Sequence, residues 1–446
     1  MKFRPVIIIC FLWLINSSCK NNPQDNLVSN FTNTKNTTTN NVVIATDSST
    51  SYFLSLSDVH LDSNRGYTKF GRHNDTGDSL WARTKTELEK VIKTQKPKFM
   101  VYLGDLPHHE DATRVKNVTL MLEHLRRLDI DIPLLYLPGN NDALGGDYNS
   151  FQDSEGKNPF SVNPNINDSW PVLHDTTGKA KISNMDFNKQ FGFYSTDLTI
   201  DKDTLKIIAL NTVIFTNSYY QSDDGVTQKE AAQKQFSWLE NTLSNLNSST
   251  PILMMMHIPP GVDNYSHSGL MWNNWDKIVN KKGDSLYFQN AFLDLVDQNS
   301  SQIKGMLTSH THFDGIRRIY NSTKADDNAL IGISISTPGI TIGHGNNPGF
   351  KLFEYNNNTF DIIDFKTYFA KPTSHEGFKY FGDTYTFKNT YNVSDKKSTI
   401  YESITTMDST EIKKYMSEII AVKSYKTNKI VNGYHFYSVM NVLKDQ

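Results

Sequence analysis

Six short apolar runs, each closing on a polar cluster that carries Asp, Asn or His, constrain this chain more than any other feature. They are Tyr52–Leu56 before SDVH, Phe99–Leu103 before GD, Leu134–Leu137 before PGNND, Leu205–Leu210 before Asn211, Ile252–Met256 before His257, and Ile303–Leu307 before SHTH. Runs of this length predict buried strands. Between them lie segments with apolar residues at helical spacing: Leu80–Thr94 (Trp81, Leu88, Val91, Ile92), Gln228–Leu246 (Phe236, Leu239, Leu243, Leu246) and Tyr287–Val296. Strand–helix alternation predicts a layered α/β fold, in which functional groups collect past the carboxyl ends of the strands. The segment Leu330–Phe365 predicts further strands (IGISIST, FKLFEY, FDIIDF), and Ser409–Val422 a helix. The chain has no internal repeat.

Composition narrows the class. A chain of 446 residues with 37% hydrophobic and 12% aromatic content can bury a sizeable core. A formal net charge of −2 gives no basic field, so no nucleic-acid duplex is expected as a partner. Lys2 and Arg4 precede the apolar run Val6–Ile15, then Ser17, Ser18 and Cys19. Residues 1–19 therefore read as an export signal. Either Cys19 is lipidated and tethers the protein to a membrane, or the signal serves simple secretion; Asn16 stands where a lipoprotein signal usually has Leu. Residues 20–50, rich in Asn, Thr and Ser, read as a flexible linker. Residues 51–368 form the expected main domain, and 369–446 a small C-terminal extension without an assigned role. Cys10 and Cys19 are the only cysteines, so residues 20–446 hold no disulfide between themselves.

Each polar cluster is a weak signal alone. Asp58-x-His60 is usually a satisfied pair, Gly104–Asp105 and Gly139-Asn140-Asn141-Asp142 are ordinary turns, and His257 and His310-x-His312 are common strand ends. Together, five strand ends deliver Asp and His, Asp, Asn, His, and two His in order. These are hard and borderline donors suited to zinc, manganese or iron. Phosphate esters resist hydrolysis because their negative oxygens repel nucleophiles. Two cations a few ångströms apart neutralise that charge and acidify a water.

The order DxH, GD, GN, H, HxH resembles the calcineurin-like metallophosphoesterase superfamily. The finer match is similar to its acid-sphingomyelinase-like phosphodiesterase branch: GDLPHH, with a His four residues past the Asp; HIPPG; and SHTHFD followed by NPGFKLFEY. The resemblance covers residues 52–368. It implies a four-layer α/β/β/α sandwich. It also implies two divalent metal ions, zinc first with iron and manganese as alternatives. Asp58, His60 and His312 would hold one ion, Asn140, His257 and His310 the other, with Asp105 bridging. It further implies phosphodiester cleavage by a metal-bridging hydroxide, with His109 as general acid and a nucleotide or phospholipid head group as substrate.

The chain departs from the superfamily pattern at Asn141, where a phosphate-contacting His is usual. Asn donates hydrogen bonds but delivers no proton near neutral pH. His109 would then carry the acid role alone, or the leaving group would need little protonation. A GNND form is also familiar from endopolyphosphatases of this branch. Ser309 replaces the Gly of the usual GHTH and removes no ligand. The saposin-like module and C-terminal disulfides of true acid sphingomyelinases have no counterpart here. The alternatives are a phosphomonoesterase or phosphoanhydride hydrolase, and, in another class, a catalytically silent surface-binding lipoprotein on the same scaffold. Asn211 reads either as a support of the site or as a strand-end cap. Trp272 and Trp275 read as a cleft wall or as local packing. Arg65, Arg72 and His73 read as phosphate contacts or as a solvated loop.

Overall fold

Leu54 and Leu56 are wholly buried and Phe53 nearly so, which is why Thr50–Leu56 (β1) settles inside a sheet rather than at its edge. A computed structural model describes residues 49–66, 75–163, 170–175, 178, 180–220, 225–263, 272–273, 275, 277–279, 285–373, 377–423 and 439–446. The signal and most of the linker read from the sequence lie outside the described residues. Among the described residues no helix is long and apolar enough to cross a membrane.

The other strands are β2 (Met100–Tyr102), β3 (Leu134–Tyr136), β4 (Val172–His174), β5 (Ala180–Asn188), β6 (Phe193–Ile200), β7 (Asp203–Leu210) and β8 (Ile252–Met256). Two small ribbons follow, β9 (Val262–Asp263) with β10 (Trp272–Asn273), and β11 (Lys277–Val279) with β12 (Ser285–Tyr287). Next come β13 (Ile303–Thr308), β14 (Gly315–Tyr320), β15 (Leu330–Ser336), β16 (Gly349–Asn356), β17 (Ile362–Thr373), β18 (Gly377–Thr386) and β19 (Asn441–Val442). The first sheet runs β18-β17-β16-β1-β2-β3-β4 and the second β19-β14-β15-β13-β8-β7-β6-β5. In the first, β1, β2 and β3 are parallel; in the second, β7, β8, β13 and β15 are.

The helices fill the outer layers. Helices α1 (Asp78–Gln95) and α2 (Arg114–Arg126) connect β1 to β2 and β2 to β3. Crossovers between parallel strands are right-handed, so two moving the same way along a sheet cover the same face. Helix α1 buries Leu80, Trp81, Leu88, Val91 and Ile92 at helical spacing. The second sheet divides its side chains by the strand period. Ile207, Ala209, Leu253, Met255 and Leu307 join the core shared with the first sheet. Ile208, Leu210, Met254, Met256 and Met306 pack instead with α3 (Gln228–Ser244) and α4 (Phe288–Gln298). Burying Phe288, Phe292, Leu293 and Val296 of α4 against that face contributes about 1.5–3 kcal/mol each. Helix α3 opens on a capping box in which Thr227 and Glu230 satisfy each other's backbone N–H. The result is the expected α/β/β/α sandwich.

The C-terminal segment is less separate than its composition suggests. Strand β17 runs straight across residue 368, and β18 extends the same sheet. Helices α5 (Ile400–Thr405) and α6 (Ser409–Glu418) place Ile400, Ile404, Ile412 and Met416 in the first core. Strand β19 pairs with β14 in the second sheet. Residues 377–423 and 439–446 thus finish the edges of both sheets.

Candidate metal centre

The parallel strands of both sheets end on one edge, and there the backbone turns sharply. Asp58, His60, Asp105, His310 and His312 all have φ between 48° and 68°, the left-handed region that L-residues avoid. Each such residue costs on the order of 1–3 kcal/mol, and strain of this kind concentrates at functional sites. Two glycines let the Asp105 and Asn140 loops meet. Gly104 has φ 95°, and a Cβ there would lie 2.4 Å from Gly139 N; a Cβ on Gly139 would lie 2.3 Å from Asp105 Oδ1. Asp142 staples the same loops. It accepts from the N–H groups of Asp105 (3.0 Å), Leu106 (2.6 Å) and Gly139 (2.6 Å) and from the Tyr136 hydroxyl (2.9 Å).

The side chains converge in two sets that share Asp105. Asp58, His60, Asp105 and His312 can offer ligand atoms all within 4.8 Å of one another, and so can Asp105, His257 and His310. Asp105 Oδ2 lies 3.3 Å from His60 Nε2 and 3.2 Å from His257 Nε2. Asp58 Oδ1 lies 3.4 Å from His312 Nε2. Asn140 joins the second set through Oδ1, 3.1 Å from His257 Nε2.

Neighbouring groups aim these donors. His257 Nδ1–H donates to the Leu103 carbonyl (2.6 Å) and His60 Nδ1–H to the Pro107 carbonyl (3.0 Å), so each Nε2 turns its lone pair inward. Asp147 accepts from Asn140 Nδ2 (2.7 Å), which commits the amide oxygen to the cluster. Lone pairs of Asn140, His257 and Asp105 therefore face one another. Both carboxylate oxygens of Asp58 are buried without a hydrogen-bond partner. A cluster of aimed, buried lone pairs without donors suits cations and little else. The donor set fits a dinuclear metal site.

The same conclusion follows from proton affinity. Burial opposes charge on His60 and His257, but the adjoining Asp105 carboxylate overcomes it and raises both to about 9. Without ions, protons on these rings compensate the buried acids. Burial lowers His310 to about 3 and lowers His312. These stay neutral, as metal-ligating imidazoles must.

His109 stands beside this cluster. Its ring stacks on His60 at 4.5 Å, its side chain is 42% exposed, and Nδ1–H donates to Asp75 Oδ2 (3.1 Å). Asn141 is turned elsewhere. Its backbone N–H donates to Asp105 Oδ1 (2.8 Å) and its Nδ2 to Asp105 Oδ2 (3.2 Å), so it positions the shared carboxylate. Ser309 Oγ lies 3.0 Å from His257 Nδ1 and donates to the Leu103 carbonyl, adding support where a Gly would give none.

Sequence reasoning passed over Asp75, Asp147 and His344. Asp75 and Asp147 sit in polar stretches with no strand-end signal, and His344 lies in a loop that the HxH motif does not reach. His344 packs edge-on to His312 at 4.3 Å. Burial, then the nearby His109 and His60, holds its imidazole well below the usual range. Three surrounding features resolve differently from a direct site role. Asn211 caps the short helix Thr212–Phe215 through Val213 N–H. Trp275 is 3% exposed and packs on Phe215 and Phe292 in the core. Arg65 pairs with Asp62 (2.5 Å). Arg72, His73 and the side chain of Trp272 lie outside the described residues.

Comparison with known proteins agrees with this geometry. The family model for calcineurin-like phosphoesterases matches residues 52–314, more than half of the chain. The cyclic GMP-AMP phosphodiesterase SMPDL3A of Rattus norvegicus is 25% identical over 336 residues, 72% of this chain and 69% of that protein. The acid sphingomyelinase-like phosphodiesterase 3b of Mus musculus is 25% identical over 354 residues, 71% of this chain and 70% of that one. The sphingomyelinase phosphodiesterase C of Dictyostelium discoideum is 25% identical over 322 residues, 67% of this chain and 64% of that one. A family match spanning most of both sheets, with acid-sphingomyelinase-like phosphodiesterases as relatives and a buried Asp/His cluster at the expected strand ends, places the chain in the calcineurin-like phosphoesterase family of metal-dependent hydrolases.

Proposed function

We propose that the chain hydrolyses phosphodiesters of nucleotide or phospholipid head-group type. The observation that carries this reading is the shared Asp105, lying between two sets of aimed donors with an exposed, carboxylate-oriented imidazole beside them. When bound, two divalent cations neutralise the phosphate and bring the pKa of a water towards neutrality. Zinc is the ion pair the His-rich donor set favours. Asp58, His60 and His312 hold the first position, Asn140, His257 and His310 the second, and Asp105 joins them. Asp75 holds Nδ1–H of His109, so the ring in its doubly protonated form gives its Nε2 proton to the departing oxygen and is left neutral. Asn141 keeps Asp105 in place and takes no part in proton transfer. The diester preference agrees with the names of the phosphodiesterase relatives.

The proposal includes export by residues 1–19, followed either by tethering to a membrane through Cys19 or by secretion. Hydrolysis of bis-p-nitrophenyl phosphate, p-nitrophenyl phosphate, ATP and long polyphosphate by metal-loaded protein tests the activity. The diester should turn over fastest, by about tenfold or more, a difference of ~1.4 kcal/mol in barrier. ATP or polyphosphate as the best substrate would replace this reading with anhydride cleavage, which needs less acid catalysis and which Asn141 favours.

A further inference from the structure

We propose that His344 is a further substrate-contacting residue, donating a hydrogen bond to a non-bridging oxygen of the bound phosphoryl group. The proposal rests on the phosphoesterase reading above. Four imidazoles form a file across the cluster: His109, His60, His312 and His344, with successive ring centroids 4.5, 5.1 and 4.3 Å apart. The inner pair is buried and belongs to the ligand set around Asp58 and Asp105. The outer pair reaches solvent, with His109 exposed and His344 half-buried. A phosphate that reaches the buried donors from solvent meets the outer rings first.

One carboxylate sets both ends of the file. Asp75 Oδ2 accepts from His109 Nδ1, while Asp75 Oδ1 accepts from Thr341 Oγ1 (3.3 Å), three residues before His344. The loop carrying His344 is tied to the site itself. Ile340 and Thr341 N–H donate to the Asp58 carbonyl (3.1 and 3.0 Å), and Asn346 Nδ2 donates to the Thr341 carbonyl (2.9 Å). This anchoring fixes both flanks of the turn that carries His344. An imidazole N–H aimed at anionic oxygen makes a charge-assisted bond.

Calorimetric titration of inorganic phosphate into the metal-loaded, full-length chain tests this. The comparison is parent, His344→Ala and His344→Gln, with metal content measured for each. His344→Ala should keep two ions and bind phosphate about tenfold or more weakly, the loss of one charge-assisted hydrogen bond. His344→Gln should recover part of that loss, since its amide also donates. Parental affinity in His344→Ala, loss of metal from it, or a parent that takes up no phosphate would each overturn the proposal. A parent that binds phosphate through His344 yet cleaves no ester would refute the hydrolytic reading and leave the contact standing.

Discussion

Gly139→Ala puts the tightest contact of the centre under test. A Cβ at this position would lie 2.3 Å from Asp105 Oδ1 and 2.6 Å from Asp105 N. Ordinary van der Waals contact begins near 3.4 Å, so the Asp105 loop must withdraw by about 1 Å. It has no easy direction to take. Its backbone N–H is held by Asp142, and its carboxylate by Asn141 and by the imidazoles of both ligand sets. Overpacking of this sort destabilises by about 1–3 kcal/mol. A 1 Å misplacement of the shared carboxylate should lower turnover on the order of 10²-fold. The assay is kcat on bis-p-nitrophenyl phosphate, with metals per chain and the melting temperature, for parent, Gly139→Ala and Gly66→Ala. Gly66 is exposed and a Cβ there meets nothing within 4 Å, so its variant should match the parent. Parental turnover and metal content in Gly139→Ala would refute the claim that these two loops lock the bridge.

Three further outcomes are expected. His109→Ala should keep both metals and slow turnover most for poor leaving groups, and Asp75→Asn should move kcat the same way; equal rates on all substrates would remove the acid assignment. In chelated protein, His60 and His257 sit near 9 against an ordinary 6.5, so their stabilisation is complete below about pH 6.5 and is lost as pH rises through 9. The melting temperature of the chelated form should therefore fall across that window while the metal-loaded form holds, and a flat chelated profile would contradict the assignment. Lys351→Met should destabilise by about 3 kcal/mol, because it strands the buried Asp314 carboxylate, now 2.6 Å from Lys351 Nζ, with Thr367 and Tyr385 as its remaining donors among the described residues. Metal content should survive that change, and an unchanged unfolding midpoint would contradict it.

The site was legible where chemistry coincides with strand ends. Asp58, Asp105, Asn140, His257 and His310 each follow a buried apolar run, and a strand places such a residue at the sheet edge whatever the tertiary detail. The main helices were legible for a related reason, since Leu88, Val91 and Ile92 recur at the period of one buried face. Supporting residues were not legible, because their roles depend on contacts across long sequence distances. Asp75 meets Thr341, 266 residues away, and His257 meets the Leu103 carbonyl across 154. Helix α2 was harder to read because polar Arg114 and Asn117 lie on its buried face with Val118, Met121, Leu122 and Leu125, while apolar Val115 lies exposed off it. In the C-terminal segment the helix within Ser409–Val422 was legible, but not the place of Ile400, Ile404, Ile412 and Met416 in a core assembled from residues far away in the sequence.

Under the proposed function two ions share Asp105. Elemental analysis of reconstituted, full-length protein beside Asp105→Asn tests it directly. Two ions per chain in the parent, with both positions depleted and turnover lost in the variant, is the predicted result. A parent that retains no metal, or a variant that keeps two ions, would contradict it.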